Sequence, residues 1–162
     1  MSGPVYVGLG VSSHSAALLE TAVFSNVKLE RPRHINAAAY RSHIAVYDVA
    51  ARSSRVVYSG DGVIEAPNWS RDGKCLLVNT RGDLFRLPLG SSPPALERVS
   101  LQPGSYSCNN DHDLSPDGKL LAFSASTPDV AKSQVWVARA DGANVRLVTP
   151  KAPSYFHGWS PD

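Results

Sequence analysis

The chain has 162 residues and a formal net charge of +2, from 16 Lys and Arg against 14 Asp and Glu. The length suits one ordinary domain, and the mixed charge without a basic run argues against nucleic acid as a partner. No apolar stretch approaches the roughly 20 residues that a membrane-spanning helix needs, so we expect no membrane insertion. The amino terminus has no basic segment followed by an apolar one and therefore lacks the pattern of a signal peptide.

Two strands are predicted at the start of the chain, at residues 4–12 and 21–30, with a polar and then Ala/Leu-rich link between them. Residues 7–14 and 19–27 resemble the last two strands of a concanavalin-like jelly-roll sandwich. The resemblance implies that residues 1–31 are the carboxyl-terminal hairpin of a β-sandwich domain. Because an isolated hairpin is marginal in water, we expect the chain to be a fragment of a longer protein.

A linker is predicted at residues 32–41, which lack strand alternation. Residues 43–49 and 55–59 then read as the third and fourth strands of a four-stranded unit whose two inner strands are missing. We therefore predict half of such a unit at residues 42–60.

The remainder of the chain is organised by a turn signal with a 45-residue period. Ser-x-Asp-Gly occupies residues 70–73 and 115–118, and the first three residues of a third copy occupy 160–162. Ser and Asp side chains accept hydrogen bonds from nearby backbone N–H groups, and Gly takes positive φ at no steric cost. A period of 40–45 residues is that of a four-stranded propeller blade.

Each full repeat continues with a third and a fourth predicted strand. The third strands are at residues 83–87 and 134–138, and the fourth strands at 96–99 and 144–148. We therefore predict an all-β chain with a partial β-propeller at residues 42–162, of about two and a half four-stranded blades. The whole blades are 61–104 and 105–150, and residues 151–162 start another.

The repeats resemble those of a known family. Trp-Ser-x-Asp-Gly-Lys-x-Leu-Leu-Val at residues 69–78 and Leu-Ser-Pro-Asp-Gly-Lys-Leu-Leu-Ala-Phe at 114–123 look like the WD-like repeats of TolB-type propellers. Related blades occur in the periplasmic TolB protein, in prolyl-oligopeptidase-type peptidases and in oligogalacturonate lyases. The resemblance implies a periplasmic or extracellular location for an intact parent.

Propellers close into rings of 4–8 blades, which two and a half blades cannot do. We expect open blade edges to favour self-association and to expose apolar faces, such as those with Val46, Leu77, Phe85, Phe123 and Trp136.

Trp69 and Trp159, with Leu114 between them at the same phase, are predicted to pack between blades. Cys75 and Cys108 permit one disulfide without requiring it, and we favour two separate thiols.

The candidate site rests on His112 and His157, which are 45 residues apart. Both precede a turn signal, in the first strand, which lines the central channel in the usual blade order. We predict that these imidazoles face a shared space that binds a divalent metal or a polar ligand such as a sugar acid. Further candidate ligand-binding residues surround the first histidine: Asn109, Asn110, Asp111 and Asp113. The alternative is that these Asn and Asp side chains only cap turns and bond between blades.

The sequence favours a non-catalytic interaction module that binds a protein or a carbohydrate at the channel face. No Gly-x-Ser-x-Gly elbow is present, and no catalytic residue is assigned. Two enzyme classes remain as alternatives: a metal-dependent polysaccharide lyase similar to the oligogalacturonate lyases, and the propeller domain of a prolyl-oligopeptidase-type peptidase.

Overall fold

A computed structural model describes residues 40–160, all within the unit Ile35–Asp162. The predicted jelly-roll hairpin at 1–31 and nearly all of the predicted linker lie outside the described residues, as do Pro161 and Asp162. Every regular element of the described part is a β-strand. In chain order the strands are β1 Arg41–Asp48, β2 Ser53–Asp61, β3 Glu65–Trp69, β4 Cys75–Thr80, β5 Asp83–Pro88, β6 Glu97–Arg98, β7 Ser107–Leu114, β8 Leu120–Ser126, β9 Gln134–Arg139 and β10 Arg146–Leu147.

The ten strands form three antiparallel sheets in which chain neighbours pair. The first sheet contains β1 and β2 only, and the other two each contain four strands, β3 to β6 and β7 to β10. The predicted fold class is confirmed: residues 40–160 are all-β, with one half blade and two whole blades of a partial propeller. The two fourth strands are shorter than predicted, at two residues each.

The turn between β3 and β4 shows why Ser-x-Asp-Gly starts a hairpin. Ser70 Oγ donates to Asp72 Oδ1 at 2.7 Å and accepts the N–H of Cys75 at 3.0 Å. Gly73 has φ +69°, which suits glycine. The same bonds recur at residues 115–120, at 2.6 and 3.0 Å. The pKa values of the two turn aspartates, Asp72 and Asp117, are lowered. The main cause is the hydrogen bond from the serine hydroxyl, and the second is a hydrogen bond from a backbone N–H.

Side chains of β4 alternate between two packed faces, as expected for a strand buried on both sides. One face joins the half blade in a core of Ile44, Leu76, Val78 and Leu87. The opposite face joins the next blade in a core that includes Leu77, Leu84, Val99, Cys108, Leu114, Leu121 and Phe123. The sheets therefore stack face to face, each sharing a core with the next.

Two expectations about exposed apolar faces are wrong. Leu77 is 2% exposed and Phe123 0%, because both lie between the two whole blades rather than at an open end. Val46, Phe85 and Trp136 are half-buried.

The expected packing of the in-phase aromatics holds only in part. Leu114 is buried and Trp159 half-buried, but Trp69 is 48% exposed. The indole of Trp159 donates to the carbonyl of Asp113 in the preceding blade at 3.3 Å. The half blade before Trp69 has no first strand among the described residues, so Trp69 has no equivalent neighbour to pack against.

Residues 151–160 form no strand, although the sequence predicts the first strand of a further blade there. Among the described residues they have no second strand to pair with. The segment instead bonds to the second whole blade: Ser154 N–H donates to Ser133 O at 2.8 Å, and Phe156 N–H donates to Ser124 Oγ at 2.7 Å. No helix in residues 40–160 has the length and apolarity to cross a membrane.

Candidate functional site

The first strand of each whole blade carries a bulge. In β7, Cys108 pairs with Ala125 and His112 with Phe123, so residues 109–111 stand against Ser124 alone. In β3, the register also shifts between Glu65 and Asn68. Bulges re-aim side chains and are frequent beside functional sites. The bulge of β7 contains three of the predicted candidate residues, Asn109, Asn110 and Asp111, whereas the shift in β3 contains none of them.

His112 is a buried base, with only 3% of its surface exposed. Its Nε2 lies 3.4 Å from the carbonyl oxygen of Leu77, and its Nδ1 has no hydrogen-bond partner among the described residues. Burial lowers the pKa of the imidazole, and this outweighs the opposite effects of the Leu77 carbonyl and the nearby carboxylates of Asp113 and Asp111. The ring is therefore neutral at pH 7.

The structure brings His112 and His157 to one cavity of about 250 Å³. His112 comes from β7, and His157 is an exposed residue of the segment 151–160. Five of the six candidate residues line this cavity. The complete lining is Ala66, Asn68, Asn110, Asp111, His112, Asp113, Phe156 and His157.

Asn109 is the candidate residue that does not line the cavity. Its Oδ1 accepts the N–H of Asp111 at 2.9 Å, and its Nδ2 donates to the Asp111 carboxylate at 3.4 Å. These bonds hold the bulge in shape. For Asn109 the structure therefore supports the turn-capping alternative.

Asn68 belongs to the site but was missed by sequence reasoning. Its Nδ2 donates to the carbonyl of His112 at 2.7 Å and to the carbonyl of Ala66 at 3.3 Å. Asn68 therefore joins the first strands of two successive blades. The sequence contained an indication of this, because Asn68 and the candidate residue Asp113 occupy the same repeat position.

Arg71, in the first turn signal, is a second residue that sequence reasoning missed. Its guanidinium donates to the carbonyl of Ser115 at 2.9 Å and also to that of Leu114. It forms an ion pair with Asp113 at 3.2 Å, with both side chains partly exposed. Arg71 thus offsets the charge of one of the two carboxylates in the cavity wall.

The wall that carries His157 is held by aromatic contacts. The rings of Phe156 and Trp159 meet edge to face with centroids 5.9 Å apart. The bond from Phe156 N–H to Ser124 Oγ and the bond from the Trp159 indole to the Asp113 carbonyl attach the segment to the second whole blade on either side of His157. The sequence could not indicate this anchoring, because residues 151–160 were expected to be held by strand pairing.

The metal hypothesis lacks a complete ligand set in residues 40–160. No group of three or more His, Cys, Asp or Glu side chains there is arranged to hold an ion. A metal bound by His112 and His157 would need further ligands from outside the described part of the chain.

Cys75 and Cys108 are both free thiols. Burial raises the pKa of Cys108 to about 12, so this thiol is unreactive at neutral pH.

Comparison with known proteins gives one curated relative and two informative structures. The chain is 44% identical over 122 residues to the uncharacterized protein Atu1656 of Agrobacterium fabrum, covering 75% of this chain and 41% of that protein. The structure of a candidate TolB from Agrobacterium tumefaciens is also 44% identical, with a TM-score of 0.69, and the match covers 75% of this chain and 43% of that one.

TolB from Acinetobacter baumannii matches at 20% identity and a TM-score of 0.54, over 68% of this chain and 27% of that one, which shows the fold alone. No family model matches. The chain spans less than half the length of the relatives it matches. These matches support a relationship to TolB-type proteins and a propeller-type module.

Proposed function

We propose that this propeller-type module is a non-catalytic interaction module that binds a protein or a carbohydrate at the channel face. The observation that carries the proposal is the cavity that His112 and His157 both line. In a closed propeller the blades surround a central channel, and here β3 and β7, the first strands of successive blades, contact each other.

The construction of the cavity suits ligand binding. Its polar groups come from two bulged strands and one anchored segment, so they belong to different parts of a rigid scaffold. Concave sites with a few convergent polar groups are the usual binding sites of proteins. Nδ1 of His112 is buried and has no hydrogen-bond partner within residues 40–160, so it is a polar group that a ligand could satisfy.

No observation favours the two enzyme alternatives over binding. A metal-dependent polysaccharide lyase would have to take its remaining metal ligands from outside residues 40–160. A peptidase propeller would act through a catalytic domain elsewhere. A periplasmic or extracellular location for an intact parent stays a prediction, as does self-association through open blade edges.

The test compares the full chain with a channel-face variant, His157→Ala combined with Asn110→Ala, on a glycan array and in quantitative capture from bacterial envelope extract. Both residues are exposed, so the fold is expected to survive. The control is Arg146→Ala, on the exposed outer strand β10. We expect at least one ligand to be retained by the wild type and the control but lost by the channel-face variant. If no ligand distinguishes the two variants, the proposal is wrong.

A further inference from the structure

The cavity wall is rich in hydrogen-bond acceptors. Nε2 of His112 faces the carbonyl oxygen of Leu77. Because two acceptors would repel each other, the proton of the neutral ring is assigned to Nε2. Nδ1 is then a buried acceptor without a donor among the described residues. With this tautomer, a ligand that supplies a hydrogen-bond donor to Nδ1 would complete the hydrogen bonds of the ring.

Other groups of the lining make the same demand. The carboxylate of Asp111 only accepts hydrogen bonds when ionised, and besides the long bond from Asn109 it has room for further donors. Both oxygens of Asp113 already accept a hydrogen bond, from Leu114 N–H and from Arg71. The Nδ2 of Asn68 already donates to the carbonyls of His112 and Ala66, which leaves its Oδ1 as the acceptor. The ligand is therefore expected to present several donors at once, as adjacent hydroxyl groups do.

The charge of the wall excludes one class of polyol. Arg71 pairs with Asp113, but Asp111 has no ion-pair partner within residues 40–160. An anionic ligand would therefore meet an uncompensated carboxylate. A sugar acid fits this wall poorly, whereas the hydroxyl groups of a neutral sugar can donate to Asp111 and accept from the amide of Asn110.

The size of the cavity agrees with a sugar. A cavity of about 250 Å³ leaves room for one monosaccharide unit, and the half-buried residue Phe156 is part of its lining. Aromatic side chains combined with a few polar groups are typical of small-molecule sites. A lysine ammonium from a protein partner would also donate hydrogen bonds, but it would use few of the acceptors and little of the apolar wall.

We propose that the cavity formed by residues 66–68, 110–113 and 156–157 binds a neutral sugar unit through its hydroxyl donors and discriminates against sugar acids. This inference rests on the proposed function and narrows its ligand to one class.

The experiment measures binding of matched sugar pairs to the full 162-residue chain by saturation-transfer NMR and calorimetry. The probes are galactose with galacturonate and glucose with glucuronate, which differ only in a hydroxymethyl or carboxylate group at C6. We expect at least one neutral sugar to bind, at least tenfold more tightly than its acid. Binding of the acids as tightly as the neutral sugars, or no binding of either neutral sugar, overturns the inference.

Two variants locate the binding. Asp111→Asn keeps the shape of the side chain and removes one negative charge. The ratio of the dissociation constants of the acid and the neutral sugar should therefore fall about fivefold. Asn110→Ala, at an exposed lining position, should weaken sugar binding at least threefold, and Arg146→Ala should not. An unchanged preference in Asp111→Asn contradicts the charge argument. If no sugar binds while the channel-face variant still loses a protein ligand, this inference fails and the proposed function stands.

Discussion

At the scale of single residues, His112 combines burial with an incomplete hydrogen-bond set. A buried polar group without a partner costs free energy, and most native side chains avoid that state. Asn68 donates a hydrogen bond to the backbone carbonyl of His112, which lies directly after the bulge of β7. The surrounding structure therefore holds the imidazole in position. Such a residue is a reasonable centre for a binding site.

The lowered pKa of His112 predicts a specific pH dependence of stability. In the unfolded chain the imidazole titrates near its ordinary value of about 6.5, and in the folded chain it titrates lower. The unfolded state therefore binds more protons as the pH falls below that value, and the free energy of unfolding decreases. Urea unfolding between pH 7.5 and 5 should show this decrease in the wild type.

His112→Phe keeps a buried ring and should flatten that decrease, whatever its effect on absolute stability. The matched control is His43→Phe, at an exposed position on β1, which should keep the wild-type slope. Asp72 and Asp117, the two turn carboxylates with a lowered pKa, also contribute to the free energy of unfolding. They lose that contribution only at more acidic pH, because they are protonated there. Equal slopes for wild type and His112→Phe would show that His112 is not the group responsible.

At this scale the sequence predicted that two histidines share one space, but not which residues surround them. The shared repeat position of His112 and His157 placed them at one cavity. Burial of His112, the different role of Asn109 and the membership of Asn68 depend on side-chain packing between blades. No periodicity contains that information.

At the scale of elements, the turn signal depends on glycine in a left-handed conformation. Gly73 and Gly118 have φ +69° and +72°. A Cβ at Gly73 meets open space, so Gly73→Ala should cost only the backbone strain of about 1 kcal/mol. Gly118→Ala should cost at least as much, since its Cβ would lie 3.4 Å from Arg71.

The control for the glycine variants is Gly90→Ala, which has no positive φ and no neighbour within 4 Å of the added Cβ. Its free energy of unfolding in urea should lie within about 0.5 kcal/mol of the wild type. A loss in Gly90→Ala equal to that in Gly73→Ala would remove the argument from turn geometry.

Arg71 is predicted to hold successive blades together. Arg71→Ala removes hydrogen bonds to the backbone at residues 114–115 and the pair with Asp113. Because the side chain is partly exposed, we expect a loss of about 1–2 kcal/mol. Arg139→Ala breaks an exposed pair with Asp141 in one turn and should cost less than about 0.5 kcal/mol. Urea unfolding distinguishes the two, and equal losses would show that Arg71 does not join the blades.

Most of the strands could be predicted from the sequence, because each Ser-x-Asp-Gly turn signal marks the hairpin between a first and a second strand. The third strands also lie close to their predicted positions, at β5 and β9. The bulges in β3 and β7 could not be predicted, since a bulge is defined by the partner strand. Residues 151–160 were predicted as a strand from their repeat position, but strand formation requires a neighbour.

At the scale of the whole molecule, the sheets depend on one another through shared cores. Phe123 is fully buried between the two whole blades, together with Leu77 and Leu84 of the first. Phe123→Ala should therefore cost about 3–5 kcal/mol and lower the stability of both blades together. Val56→Ala, at a 58% exposed position, should cost less than about 0.5 kcal/mol. Separate unfolding of the two blades in thermal or urea melts would contradict the shared core.

The central claim is that strand β7 and the segment 151–160 bring two in-phase imidazoles, His112 and His157, to one binding site. The most direct measurement is a two-dimensional NMR titration of the imidazole nitrogens with the neutral sugar that binds best. We predict that the signals of His112 and His157 shift along one binding curve with one dissociation constant, while those of His43 stay unchanged. A shift of only one of the two, or an equal shift of His43, would contradict the account.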